Sequence, residues 1–172
     1  MERESTRLLA YTRVPVPDDY APDLACSVHF ALIGPEGEAI CLNRNYGILF
    51  AEARISADNT IVPVSAVRPC LFRTAEGGIG VAAVPVRTDG SDDPAFHGKI
   101  LVWTLEDDGN FSPAIQIDLL MDAAVSSVGI EYDTASKTYR IRWSGREGRF
   151  FQNTLDRLDA QASPAKPGEP FT

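Results

Sequence analysis

The chain has 172 residues, 44 % of them hydrophobic, and a net charge of −8. This is enough apolar material for the core of one ordinary domain, which excludes disorder throughout, and the acidic balance opposes a binder of duplex nucleic acid, whose affinity comes from a basic surface. No apolar run reaches bilayer-spanning length, and the amino terminus MERESTRLLAYTRV is charged where a secretory signal carries its apolar core; a cytoplasmic chain with no membrane partner is expected.

In chain order, Leu8 to Val14 reads as a strand that Val14-Pro15-Val16-Pro17 ends, because proline cannot donate to a ladder. A polar loop, Asp18 to Asp23, leads to a strand over Cys26 to Ile33, closed by the turn Gly34-Pro35-Glu36-Gly37, and the chain returns through Ala39 to Leu42. After the punctuation Asn43 to Gly47, the run ILFAEARI fits a strand or a short helix by periodicity alone. Val67 to Val84 is a hairpin: strands near Cys70 to Arg73 and Ile79 to Val84 flank a turn at Glu76-Gly77-Gly78. Lys99 to Leu105 has apolar residues in both alternating sets, which predicts a strand covered on both faces. A further strand falls around Ala114 to Ile117, and LLMDAAVSS is left open as a helical turn.

The last strands alternate cleanly. Val128, Ile130 and Tyr132 share one face of VGIEYD, with Gly129, Glu131 and Asp133 on the other; in YRIRW, Tyr139, Ile141 and Trp143 face one way and Arg140 and Arg142 the other, which marks a half-buried strand. RFFQNT follows, and Asp156 to Thr172, with SPAKPGEP, has the composition of a linker or disordered tail; residues 1–155 are then the folded domain. Cys26, Cys41 and Cys70 are odd in number, lack metal-ligand spacing and sit among apolar neighbours, which predicts buried, reduced thiols and no metal.

VHFALIGPEGEAICLN, ILVWTLEDDGNFSPAIQI and YRIRWSGREGRFFQNT share one plan: strand, glycine-containing polar turn, return strand. Repeated antiparallel units predict an all-β fold, a β-propeller, with a β-sandwich of meanders as the alternative. The segments LLAYTRV, VHFAL, NYGILF, VRPCLFR, GIGVAAV, ILVWTL, GIEYD and YRIRW resemble the early blades of five-bladed β-propeller glycosidases, glycoside hydrolase family 43 and its relatives, over Leu8 to Thr154. The resemblance implies hydrolysis of arabinofuranosidase or xylosidase type, an oligosaccharide or polysaccharide fragment as ligand, and no cofactor. A closed five-bladed ring needs about twice this length, so the resemblance implies a partial β-propeller of about two to three blades, with missing blades or self-association expected at the open sheet edges.

Inverting glycosidases use two carboxyl groups, one as acid and one as base. Where the family has Arg-Asp-Pro, this chain has Val67-Arg68-Pro69; where it has Ala-Pro-Glu, Gly129 takes the acidic position. Glu131 lies on the same strand face as Gly129, displaced by about 7 Å, and is the catalytic candidate. Such a displacement is large for catalysis, so the chain is expected to be catalytically poor. Arg68 is a candidate for binding a sugar hydroxyl or carboxylate, against a salt-bridge or turn role. Trp143 is a candidate for stacking on a sugar ring, and Trp103 shares that chemistry, against core packing for both. Asp18, Asp19 and Asp23 are loop acids, His29 suits a core or rim position, and His97 an exposed loop; neither histidine comes with a triad arrangement. Gly77, Gly78 and Gly80 lie in a hairpin and make no phosphate cradle, and Arg140, Arg142, Arg146 and Arg149 form only a local basic group.

Overall fold

The computed structural model describes residues 6–14, 26–55 and 57–171. Three antiparallel sheets follow one another along the chain. The first has strands β1 (Arg7–Tyr11), β2 (His29–Ile33) and β3 (Ala39–Cys41). A short hairpin, β4 (Arg54–Ile55) and β5 (Ile61–Val62), leads to the second sheet, β6 (Ser65–Arg73), β7 (Ile79–Val86), β8 (Lys99–Thr104) and β9 (Ile115–Asp118). The third is β10 (Val125–Asp133), β11 (Thr138–Gly145), β12 (Phe150–Leu155) and β13 (Lys166–Pro167). Each sheet runs in sequence order, as simple meanders do.

The second sheet is covered on both faces, which separates this architecture from a two-sheet sandwich. In β8, Leu101 and Trp103 enter a core with Val28 and Phe30 of the first sheet, while Ile100 and Val102 enter another with Val128, Ile130, Ile141 and Trp143 of the third. The double alternation of KILVWTL is the sequence sign of this middle position. Strand β6 lies against both β1 and β10, so successive sheets stack face to face like propeller blades. The β6–β7 turn forms as its glycines predict: Gly77 sits at φ 81°, and the Thr74 amide donates to the Gly78 carbonyl at 3.1 Å.

The two open assignments resolve as extended or irregular chain. In ILFAEARI, Leu49 bridges Val28 and Arg54–Ile55 forms β4. LLMDAAVSS has no helix and runs directly into β10 at Val125. Two expectations are corrected. Cys41 is exposed, because β3 is a short outer strand with every residue exposed, whereas Cys26 is buried and Cys70 half-buried; none of the three forms a disulfide. The stretch from Asp156, linker-like in composition, is tied to the third sheet as far as Phe171: Ala162 is buried, Ser163 exchanges hydrogen bonds with Thr154, and β13 pairs with β12. Beside its prolines the Ser163 and Gly168 amides donate to the carbonyls of Thr154 and Phe150 at 2.7 and 2.8 Å, and the Ser163 carbonyl accepts from Asn153.

Candidate functional site

One end of the sheets gathers the polar side chains. Ser65 at the start of β6 faces Val86 at the end of β7, and Val125 at the start of β10 faces Gly145 at the end of β11, so the loop 87–98 and the turn 146–149 lie beside the starts of β6 and β10. Arg146 reaches Asp92 at 3.5 Å and joins the two. The first sheet meets the same end, where the Ala66 amide donates to the Cys26 carbonyl at 2.8 Å. There Ser27 and His29 are buried with Oγ and Nε2 at 3.3 Å, His29 stacks on Tyr11, and the Tyr11 hydroxyl donates to Asn45 Oδ1 at 2.6 Å. Asn45 closes a run of three left-handed residues, Asn43, Arg44 and Asn45, with φ of 50°, 52° and 63°. Asp18, Asp19 and Asp23 lie outside the described residues.

Arg68 stands at a break in the β6 ladder. Val67 pairs with Val84 and Cys70 with Ala82, so Arg68 and Pro69 oppose Ala83 alone. This is a β-bulge, the device by which a strand re-aims a side chain. Pro69 suits it because no amide is needed there. Arg68 has φ 54°, a conformation that costs a residue with a Cβ about 1 kcal/mol or more, and its side chain is exposed. Among the described residues it has no hydrogen bond or ion pair, which sets aside the salt-bridge reading of this arginine.

The other two predicted site residues lie elsewhere. Glu131 is exposed on the sheet face opposite Val128 and Ile130, with Arg142 at 3.1 Å and Arg140 at 4.0 Å. Asp133 takes Arg140 as well, at 3.5 Å, so the face carries a ladder of opposite charges. At Gly129, the position where the resemblance expects an acid, an added Cβ would stand 3.3 Å from the ring of Phe171, which also packs against Phe150. Trp143 is a correction: it is fully buried, stacks on Phe151 and donates from Nε1 to Asn153 Oδ1 at 2.8 Å. Its face cannot receive a sugar, because the alternation that placed it on β11 directs it into the core between the second and third sheets. Trp103 is buried in the other core.

Two polar nodes escape a reading of the sequence. Asp93 accepts from the Ala95 amide at 3.0 Å and meets Arg87 at 3.4 Å and Arg54 at 3.5 Å; the Ala95 amide above all, aided by the two guanidinium groups, holds its carboxyl below the usual range against the opposing effect of burial. His97 is not an isolated loop residue: Nδ1 stands 3.1 Å from Asp122 and Nε2 3.2 Å from Asp92. A neutral ring donates to one of these carboxylates and a protonated ring to both. The partners are 5 and 25 residues away, and only the folded loops bring them together.

The described architecture is that of a partial β-propeller, antiparallel meander sheets stacked face to face. It is similar to a solved glycoside hydrolase family 43 β-1,3-galactosidase bound to galactodeoxynojirimycin, with a TM-score of 0.63 and 13 % sequence identity. The match covers 94 % of this chain and 53 % of that one, so the chain spans about half the length of the enzyme. No family model matches the sequence, and no curated protein matches it.

Proposed function

We propose that this chain is a glycoside-hydrolase-like propeller module that recognises oligosaccharide at the end where β6 and β10 begin, with turnover slow or absent. The fold likeness to a family 43 galactosidase is the observation that carries the reading. The polar side chains at that end, and Arg68 turned out of the ladder by its bulge, support this location for the reading. Slow turnover is supported by Glu131, whose carboxylate is engaged by two guanidinium groups, and by Phe171 over Gly129. Hydrolysis of arabinofuranosides or xylosides is the family-level alternative, and the galactosidase likeness adds galactosides to the substrates worth assaying.

The test uses the full chain with xylo-, arabino- and galacto-oligosaccharides in calorimetric titrations, and with the matching aryl glycosides in turnover assays. Binding without turnover, weakened by Arg68→Ala, is the expected result. Release of sugar at the rates of complete glycosidases would overturn the slow-turnover reading. Absence of binding to every saccharide would remove carbohydrate recognition itself.

A further inference from the structure

We infer that the saccharide taken at this end is acidic and that Arg68 holds its carboxylate; this rests on the carbohydrate reading above. The chain has 24 acidic and 16 basic side chains, so a guanidinium has many carboxylates to find. Arg54, Arg87, Arg140, Arg142, Arg146 and Arg149 each meet one. Among the described residues Arg68 meets none, as is true of Arg7, Arg44 and Arg73; it stands on the outer strand of its sheet, three residues from the start of β6.

Its backbone makes the isolation specific. The bulge turns Arg68 out of the ladder at φ 54°, where glycine is the favoured residue. Pro69 fixes the following φ and removes a donor, so the bulge is rigid. A strained conformation that displays an unpaired cation is the kind of outlier that points to a ligand. Arg44 repeats the combination at the same end, with φ 52° in the turn that reaches Tyr11 through Asn45, exposed and without a partner among the described residues. A guanidinium can donate to a sugar hydroxyl, but a hydroxyl offers it neither charge nor a second parallel acceptor. A planar guanidinium fork suits a carboxylate, which accepts two parallel hydrogen bonds from it.

The experiment titrates the full chain with di- and trigalacturonate and with cellobiouronate, each beside its methyl ester, which keeps the skeleton and removes the charge. At low salt the acids are expected to bind about ten-fold tighter than the esters, as a charge-assisted pair implies. The advantage should shrink at 0.5 M salt, be lost in Arg68→Gly, and be partly kept in Arg68→Lys. Acids and esters binding equally in the unaltered protein would overturn the inference and leave carbohydrate recognition standing, as would binding confined to neutral oligosaccharides. No binding to acid, ester or neutral sugar would overturn both.

Discussion

Asn153 joins β11, the chain just after β9 and the segment after β12 through one buried amide, and its removal should be costly. It is 1 % exposed; its Oδ1 accepts from Trp143 Nε1 at 2.8 Å, and its Nδ2 donates to the carbonyls of Leu119 at 2.9 Å and Ser163 at 2.7 Å. Asn153→Ala leaves a buried indole N–H and two carbonyls without these partners. Each unsatisfied group costs about 1–3 kcal/mol. The indole has no other acceptor in view, whereas a carbonyl retains a second lone pair, so the sum falls at about 3–5 kcal/mol. For a chain of this length that lowers the melting temperature by about 6–20 °C. Urea unfolding followed by Trp fluorescence measures the loss directly, since Trp143 reports on its own partner. Limited proteolysis supplies a second readout: Ser163 is tied to β12 through Asn153 and Thr154, so tryptic cleavage after Arg157, in the segment that leads to it, should accelerate before global unfolding. A loss below about 1 kcal/mol with unchanged cleavage would refute the claim that this amide joins the tail to the core.

Other perturbations test the bulge and the charge nodes. At position 68 glycine relieves the left-handed backbone and alanine does not, so Arg68→Gly should be more stable than Arg68→Ala by about 1 kcal/mol, or about 2–4 °C in melting temperature, the reverse of the order in a helix; equal melting temperatures would contradict the backbone assignment. The Asp93 carboxyl is held below its unfolded value, so its stabilisation is fully present above the unfolded pKa of about 3.9 and is lost as pH falls through the lower folded value. The stability margin of the unaltered protein over Asp93→Asn should therefore be constant near neutrality and shrink in acid, which parallel urea titrations at several pH values would reveal.

Legibility in the sequence followed the range of the interaction. Residues whose partners are set by a hairpin were readable: the alternation in YRIRW put Tyr139, Ile141 and Trp143 inside, and that alternation favours core packing over sugar stacking for Trp143. The Glu131 ladder was also within reach, since drawing the hairpin sets Glu131 opposite Arg140. The bulge was hidden because arginine carries no sign of a left-handed backbone, and Pro69 alone is compatible with an ordinary strand entrance. Asp93 and His97 depend on side chains brought together from separate loops and strands, with no local pattern to mark them. The stretch after Asp156 was misleading for a different reason: composition reports how little apolar surface a segment has to bury, and Ala162 with a few carbonyl contacts is enough to dock it on an existing sheet.

The brevity of β13 has a consequence for behaviour at high concentration. Strand edges recruit strands from other molecules by offering a row of unpaired amides and carbonyls. The outer strand of the third sheet is two residues long, and one of them, Pro167, has no amide to offer. A neighbouring chain that approached there would find a lysine charge and an interrupted ladder, a natural guard against aggregation through that side of the sheet. Replacing Pro167 with a β-branched residue would extend the template, and the protein's solubility would then depend on its remaining charge.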